Sequence, residues 1–228
     1  MFPLKDDNPT QHPPIVTVAL IVANVLVQLY QLSLGPEGAQ AFVFRFGLIP
    51  YELVHGIETT PQIAFPATAS VFTSMFLHAG LMHLGGNMLY LWIFGNNIED
   101  HLGHIGFLVF YLLSGVFAVF LFVLTGPDTQ VPLVGASGAV SGVLGVYMLH
   151  FPKARVLTLF FFGWFIRMAW IPAIVVLGLW FVMQLLFALS GIGASSSGGV
   201  AYMAHVGGFV FGLGAGLLFR SRFRRTRW

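Results

Sequence analysis

Gly135-Ala136-Ser137-Gly138 follows a Pro-containing loop, Thr125 to Val134, and opens the apolar run Ala139 to Leu149. A Ser set among Gly and Ala at the mouth of a helix is unhindered on several sides. The first N–H groups of a helix have no partner within it, and they sit at the positive end of its dipole. A hydroxyl beside free donors supplies two needs of acyl transfer, a nucleophile and an oxyanion site. The base has one candidate, His205, in Ala204-His205-Val206-Gly207-Gly208. The tetrapeptide alone also has a plainer reading, because small residues near Ser mark close helix contacts in membranes. The rest of the chain decides between the two.

The chain has 228 residues, 57% hydrophobic and only 8% charged, where a soluble domain carries about 25% charged residues. Its mean hydropathy is +0.86. This is the composition of an integral membrane protein. Without Cys there is neither a disulfide framework nor a thiolate metal site. The pI of about 9.2 does not point to nucleic acid, because half of the basic residues lie in Arg220 to Trp228. A basic tail after an apolar helix reads as a cytoplasmic anchor near anionic lipid. Met1 to Pro14 shows no small-residue cleavage site after its apolar run, so the first helix is expected to stay. The lack of transit features points to a prokaryotic cytoplasmic (inner) membrane.

A spanning helix needs about 20 apolar residues. Six segments approach this: Ile15 to Leu34, His78 to Asn96, His104 to Leu124, Ser137 to His150, Met168 to Leu189 and Ala201 to Phe219. The expected fold is all-α, a polytopic six-helix bundle over residues 15–219 with a short central fourth helix. Residues 1–14 and 220–228 flank it on the cytoplasmic side. In the first helix Asn24, Gln28 and Gln31 share a face that should look toward protein. The connection Gly35 to Ser70 holds Pro36, Pro50, Pro61 and Pro66 and is expected to lie partly in the bilayer interface. Asn96 to Gly103 reads as a short polar turn. An apolar stretch, Val156 to Phe165, precedes Arg167. Ser190 to Gly199 reads as a flexible linker or a mobile lid.

With both termini inside, Lys5, Lys153, Arg155, Arg167 and the tail arginines all fall inside, and only Arg45 falls outside. That pattern fits the positive-inside rule. Helices two, four and six then run the same way, so His83 and Asn87, Ser137, and His205 share one outer-leaflet layer. Ser137 to His150 spans about 20 Å at 1.5 Å per residue, short of the hydrocarbon thickness of about 30 Å. Ser137 is therefore expected below the outer surface, at a buried or water-lined site. Ala204, Gly208, Gly212 and Gly216 form one small ridge, and Gly138, Ser141, Gly142 and Gly145 form another. Their close packing would bring the imidazole to the hydroxyl. His83 and Asn87, at i and i+4, share a helix face, either as a structural pair or as oxyanion donors. His78 and His83, at i and i+5 on a helix, would diverge, so no metal site is expected. No carboxylate lies in the outer halves, which leaves a Ser-His dyad rather than a triad.

These residues resemble the rhomboid family of intramembrane serine proteases, in its prokaryotic form. The family's Gly-x-Ser-Gly motif matches Gly135-Ala136-Ser137-Gly138. Its Ala-His with a Gly ridge matches Ala204-His205 with Gly208 and Gly212. Its second-helix pattern matches His78, His83 and Asn87, and Glu99 with Gly103 resembles the following turn. The likeness runs from Pro50 to Phe219. It implies Ser137 as nucleophile, His205 as general base and acid, and an oxyanion hole of His83, Asn87 and the Ser137 N–H. Transmembrane proteins in the bilayer would be the substrates, with no cofactor and no nucleic acid. It also implies that helix five and the loop after it gate substrate entry. A non-proteolytic membrane-protein binder on the same scaffold is the alternative. Two departures stand out: Ser141 occupies the place of an aromatic residue under the His ring, and Phe44-Arg45 stands for Trp-Arg.

Overall fold

The computed structural model describes residues 2–59, 65–162, 165–190, 200–218 and 220. It is mostly helical. Strand β1 (Phe2–Asp6) precedes α1 (Ile15–Ser33), α2 (Gly35–Phe46), α3 (Pro50–His55) and α4 (Ala67–Thr73). Then come α5 (Leu81–Tyr90), a π-helical turn (Leu91–Gly95), α6 (Asn96–Leu102), α7 (His104–Thr125) and α8 (Ser137–His150). Strands β2 (Arg155–Phe162) and β3 (Phe165–Pro172), then α9 (Ala173–Ser190) and α10 (Tyr202–Leu218), complete the order. Among the described residues α1, α7 and α9 are long and apolar enough to cross a membrane, and α10 is a shorter apolar helix.

Helix α8 sits at the centre. Every residue from Gly138 to Tyr147 is buried, as a helix apolar on all sides requires. Its closest neighbour is α10, and the two run parallel. A Cβ on Gly208 would run into the Gly138 carbonyl oxygen, and one on Gly212 into that of Gly142. One on Gly145 would strike the Phe209 carbonyl oxygen. The backbones therefore touch, as small-residue ridges allow in membranes. On α1, Asn24, Gln28 and Gln31 are all buried, and Gln31 Nε2 donates to the His78 carbonyl at 3.1 Å.

Three expectations need correction. The fold is not all-α: β1, β2 and β3 form an antiparallel sheet in that order. The run after Arg155 is apolar whether it coils or extends, and its aromatic and branched residues suit a hairpin. The strand β3 takes up residues 168–172, so α9 starts at Ala173 rather than Met168. The polar segment Asn96–Leu102 is helix rather than turn, continuing α5 through the π turn. The connection after α1, for which no elements were read, is largely helical among the described residues. Pro36 and Pro50 lie in the first turns of α2 and α3, and Pro66 is the N-cap of α4. Proline's missing N–H costs nothing in a first turn. Pro61, residues 191–199 of the linker or lid, and residues 221–228 of the basic tail lie outside the described residues.

The N-terminal segment is bound to the bundle. Strand β1 pairs with β2, slipping register between Pro3 and Lys5, where proline has no ladder donor. Asp7 accepts from Arg155 Nε at 2.8 Å, and the Tyr147 hydroxyl donates to Asp6. The buried Glu99 carboxylate caps α1, accepting from Val16 N–H at 2.8 Å, Thr17 N–H at 2.7 Å and the Thr17 hydroxyl at 2.7 Å. A carboxylate on orphan helix N–H groups gains from charge-assisted bonds and from the dipole. Asp100 takes the N–H groups of Gln11 and His12 at 3.0 and 2.9 Å.

Two outcomes test this packing. Gly212→Ala should cost about 1–3 kcal/mol, seen as a lowered thermal midpoint in detergent. Gly214→Ala, whose Cβ meets nothing within 4 Å, should cost nothing; equal losses would refute the backbone contact. Burial pushes the Asp6 carboxyl up to about 6 from 3.8, against the opposing Tyr147 bond. The folded state then binds this proton more tightly than the unfolded chain, so the contribution of Asp6 to stability should fall as pH rises from about 4 to about 6 and level off above. Burial pushes Asp7 and Asp100 up, but both end shifted down, Asp7 by its Arg155 bonds and Asp100 by the N–H groups of Gln11 and His12 and the His12 ring. They act at or below the unfolded carboxyl value, under this window. In thermal melts the midpoint of the wild type relative to Asp6→Asn should therefore fall as pH rises from 4 to 6; a difference that does not change with pH would refute the assignment.

Candidate active site

Ser137 is the first residue of α8, with Ala136 as its N-cap. Gly135 has φ +128°, a conformation that favours glycine. A Cβ there would lie 2.8 Å from both Cε1 and Nε2 of His83 and 3.5 Å from Ser137 Oγ. Only glycine lets the His83 ring stand beside Ser137. The loop that delivers Ser137 is stitched in place. Leu48 and Leu133 exchange backbone bonds at 3.0 and 2.7 Å, and Gly135 N–H donates to the Ser74 carbonyl at 2.9 Å.

His205 lies in the first turn of α10. Its Nε2 is 2.8 Å from Ser137 Oγ, and its Nδ1 is 2.8 Å from Gln184 Oε1 on α9. An amide oxygen only accepts, so Nδ1 carries the proton and Nε2 offers its lone pair to the Ser137 hydroxyl. The Trp180 ring lies 5.9 Å from the imidazole at 32°, and the Tyr202 ring 6.4 Å away, edge-on. Ser141 is not among the hydrogen-bond partners of the ring nitrogens. Its hydroxyl donates to the Ser137 carbonyl at 2.6 Å, and its Cβ packs on Gly208.

His83 accepts the Ala79 N–H on Nδ1 at 3.3 Å, which leaves Nε2–H as a donor on the side of Gly135 and Ser137. Asn87, one turn further along α5, is buried, and its Nδ2 has no partner among the described residues. An unsatisfied buried amide donor is costly, and a group that arrives only during a reaction would satisfy it. His78 needs a correction: it lies in the extended segment before α5, not on the helix. The helical divergence expected of the two imidazoles does not apply, and the rings lie 5.0 Å apart, edge to face. His78 Nε2 accepts the Ala136 N–H at 3.5 Å, bracing the residue before Ser137. Among the described residues no group of three potential ligands could hold a metal ion.

Ser137, His205, His83 and Asn87 line one cavity of about 990 Å³, walled by residues of α2, α5, α8, α9, α10 and the loop 125–134. Gln184 and Trp180 were missed in the sequence. A signal existed: Gln184 is the one amide in an otherwise apolar helix, and intramembrane polar groups are functional candidates by default.

The fold and this centre define a class, a polytopic helical membrane protein with a Ser–His pair at the mouth of a buried helix. The chain belongs to the rhomboid family, whose domain model matches residues 67–222. It is 34% identical over 209 residues to Rhomboid protein 1, mitochondrial, of Saccharomyces cerevisiae, covering 89% of this chain and 52% of that protein. It is 31% identical over 203 residues to Rhomboid-like protein 11, chloroplastic, of Arabidopsis thaliana, covering 84% and 64%. Rhomboid-type serine protease 2 of Emericella nidulans is 32% identical over 149 residues, covering 63% and 25%. The chain thus spans between a quarter and two thirds of the length of these relatives. Two of the names carry a mitochondrial or chloroplast address. The prokaryotic type and inner-membrane location expected from the sequence find no support in them.

Proposed function

We propose that this chain is a serine endopeptidase that cleaves transmembrane segments of other proteins inside the bilayer. The observation that carries the reading is the 2.8 Å approach of His205 Nε2 to Ser137 Oγ within a cavity. As the Ser137 oxygen attacks the scissile carbonyl, its proton passes to His205 Nε2. The carbonyl oxygen becomes an oxyanion beside the Ser137 N–H, His83 Nε2–H and Asn87 Nδ2–H donors. His205 then gives the proton to the leaving amine, and a water molecule, deprotonated by the same nitrogen, hydrolyses the acyl-enzyme. The chain's own side chains supply every proton transfer, so the reading calls on no cofactor.

The same proposal takes the bundle as six-spanning, residues 15–219, with both flanking segments on the cytoplasmic side. The support is the distribution of Lys and Arg. The helix counted second would be the run through α5, the π turn and α6, and the fourth and sixth would be α8 and α10. Ser137 then lies below the outer headgroups, where non-helical backbone is tolerated because it lines a cavity.

A fluorophosphonate probe should label the wild-type protein in detergent, and Ser137→Ala and His205→Ala should lose both labelling and cleavage of a transmembrane reporter. An unlabelled wild type, or cleavage retained by Ser137→Ala, would overturn the reading in favour of a non-proteolytic membrane-protein binder. Asn87→Ala should lower kcat by about 10²-fold, the loss of one oxyanion donor, while labelling persists. An unchanged kcat would remove Asn87 from the hole.

A further inference from the structure

We propose that Gln184 is a positioning residue, fixing the tautomer and the ring plane of His205 so that Nε2 faces the Ser137 hydroxyl. This inference rests on the reading of Ser137 and His205 as a hydrolytic pair. The side chains buried along α9 are Ala173, Val176, Leu177 and Gln184, a single stripe at helical spacing. Three are apolar, as a helix that meets lipid on its other faces requires. The fourth is an amide, and burying it without a partner would be costly. Its partner is His205 Nδ1, at 2.8 Å.

The register that brings them together is set by aromatic contacts. Phe181 of α9 stacks on Phe209 of α10, ring centroids 4.3 Å apart and planes 15° apart. The two helices run antiparallel, so one turn away from this stack Gln184 reaches His205. Trp180 covers the imidazole from the same helix at 5.9 Å. Together they hold the ring, while the Ser141 hydroxyl is taken by the Ser137 carbonyl.

An amide suits this place. It accepts the Nδ1–H as a carboxylate would, yet brings no charge that must be desolvated inside the membrane. It therefore orients the imidazole without holding a counter-charge against the imidazolium. The titratable side chains that face the ring are His83 from α5 and Tyr202 from α10; α8 and α9 bring Ser137 and Gln184, which do not titrate near neutrality.

The test measures reporter cleavage against pH in the full-length protein, with fluorophosphonate labelling alongside. Gln184→Leu, a substitution that an apolar helix accepts, should lower kcat about a hundredfold with little change in KM, and should slow labelling. Gln184→Glu restores the acceptor and adds a charge beside Nδ1. It should recover activity relative to Gln184→Leu and move the acid limb of the kcat/KM profile by about 1 pH unit or more. If Gln184→Leu keeps wild-type kcat, or Gln184→Glu leaves the acid limb in place, Gln184 is only a packing residue and the inference fails. That result leaves the hydrolytic pair intact as long as wild type labels and Ser137→Ala does not. A wild type that never labels overturns both.

Discussion

Where α10 crosses α8, the carbonyl oxygens of Gly138, Gly142 and Phe209 fill the space that Cβ atoms on Gly208, Gly212 and Gly145 would need. Helices in lipid gain little by hiding apolar surface from one another, so close packing must supply the attraction. The contact is graded by single atoms, and it is parallel, with Gly138 opposite Gly208 and Gly142 opposite Gly212. Ser137 precedes the first glycine of one ridge, and His205 lies within a turn of the first glycine of the other. The backbone contact thus fixes the separation of hydroxyl and imidazole before either side chain chooses a rotamer.

At the other end of the bundle the polar groups act as clamps. Glu99 is buried, yet its oxygens meet the start of α1 and His104 Nδ1, the latter at 2.6 Å. Strand β1 holds β2 through backbone pairing and through the Asp7–Arg155 ion pair. These contacts tie α1 and the N-terminal segment to the helices that lead toward the site. The link between this end and the cavity is α8, because Tyr147 touches Asp6 at one end and Ser137 opens the other.

Much of this was legible in the sequence because it rests on residue size and period. The Gly ridges, the buried stripe Asn24-Gln28-Gln31 and the pairing of Ser137 with His205 all follow from spacing. The sheet was not legible. Val156 to Phe162 is apolar except for Thr158, and hydrophobicity without period does not separate a strand from a helix. The helices of the connection after α1 were not read either, although Pro36 and Pro50 sit where a helix tolerates proline best. Gln184 was hidden for another reason. Its partner lies on α10, across the loop after α9, and only the antiparallel register of the Phe181–Phe209 stack shows that the two sites coincide.

The distribution of charge explains why the centre has no carboxylate. Asp6, Asp7, Glu99 and Asp100 cluster where backbone N–H groups, Arg155 or the Tyr147 hydroxyl can meet them. None of the described residues that line the cavity is acidic or basic other than histidine. A fixed charge there would cost desolvation in every state of the protein. A reaction that creates charge only transiently incurs that cost only while the charge exists, and preorganised neutral donors stabilise it more strongly in a low-dielectric surround than in water. On the proposed reading, histidine, asparagine and glutamine at this centre are one solution to one problem, chemistry that separates charge where permanent charge is excluded.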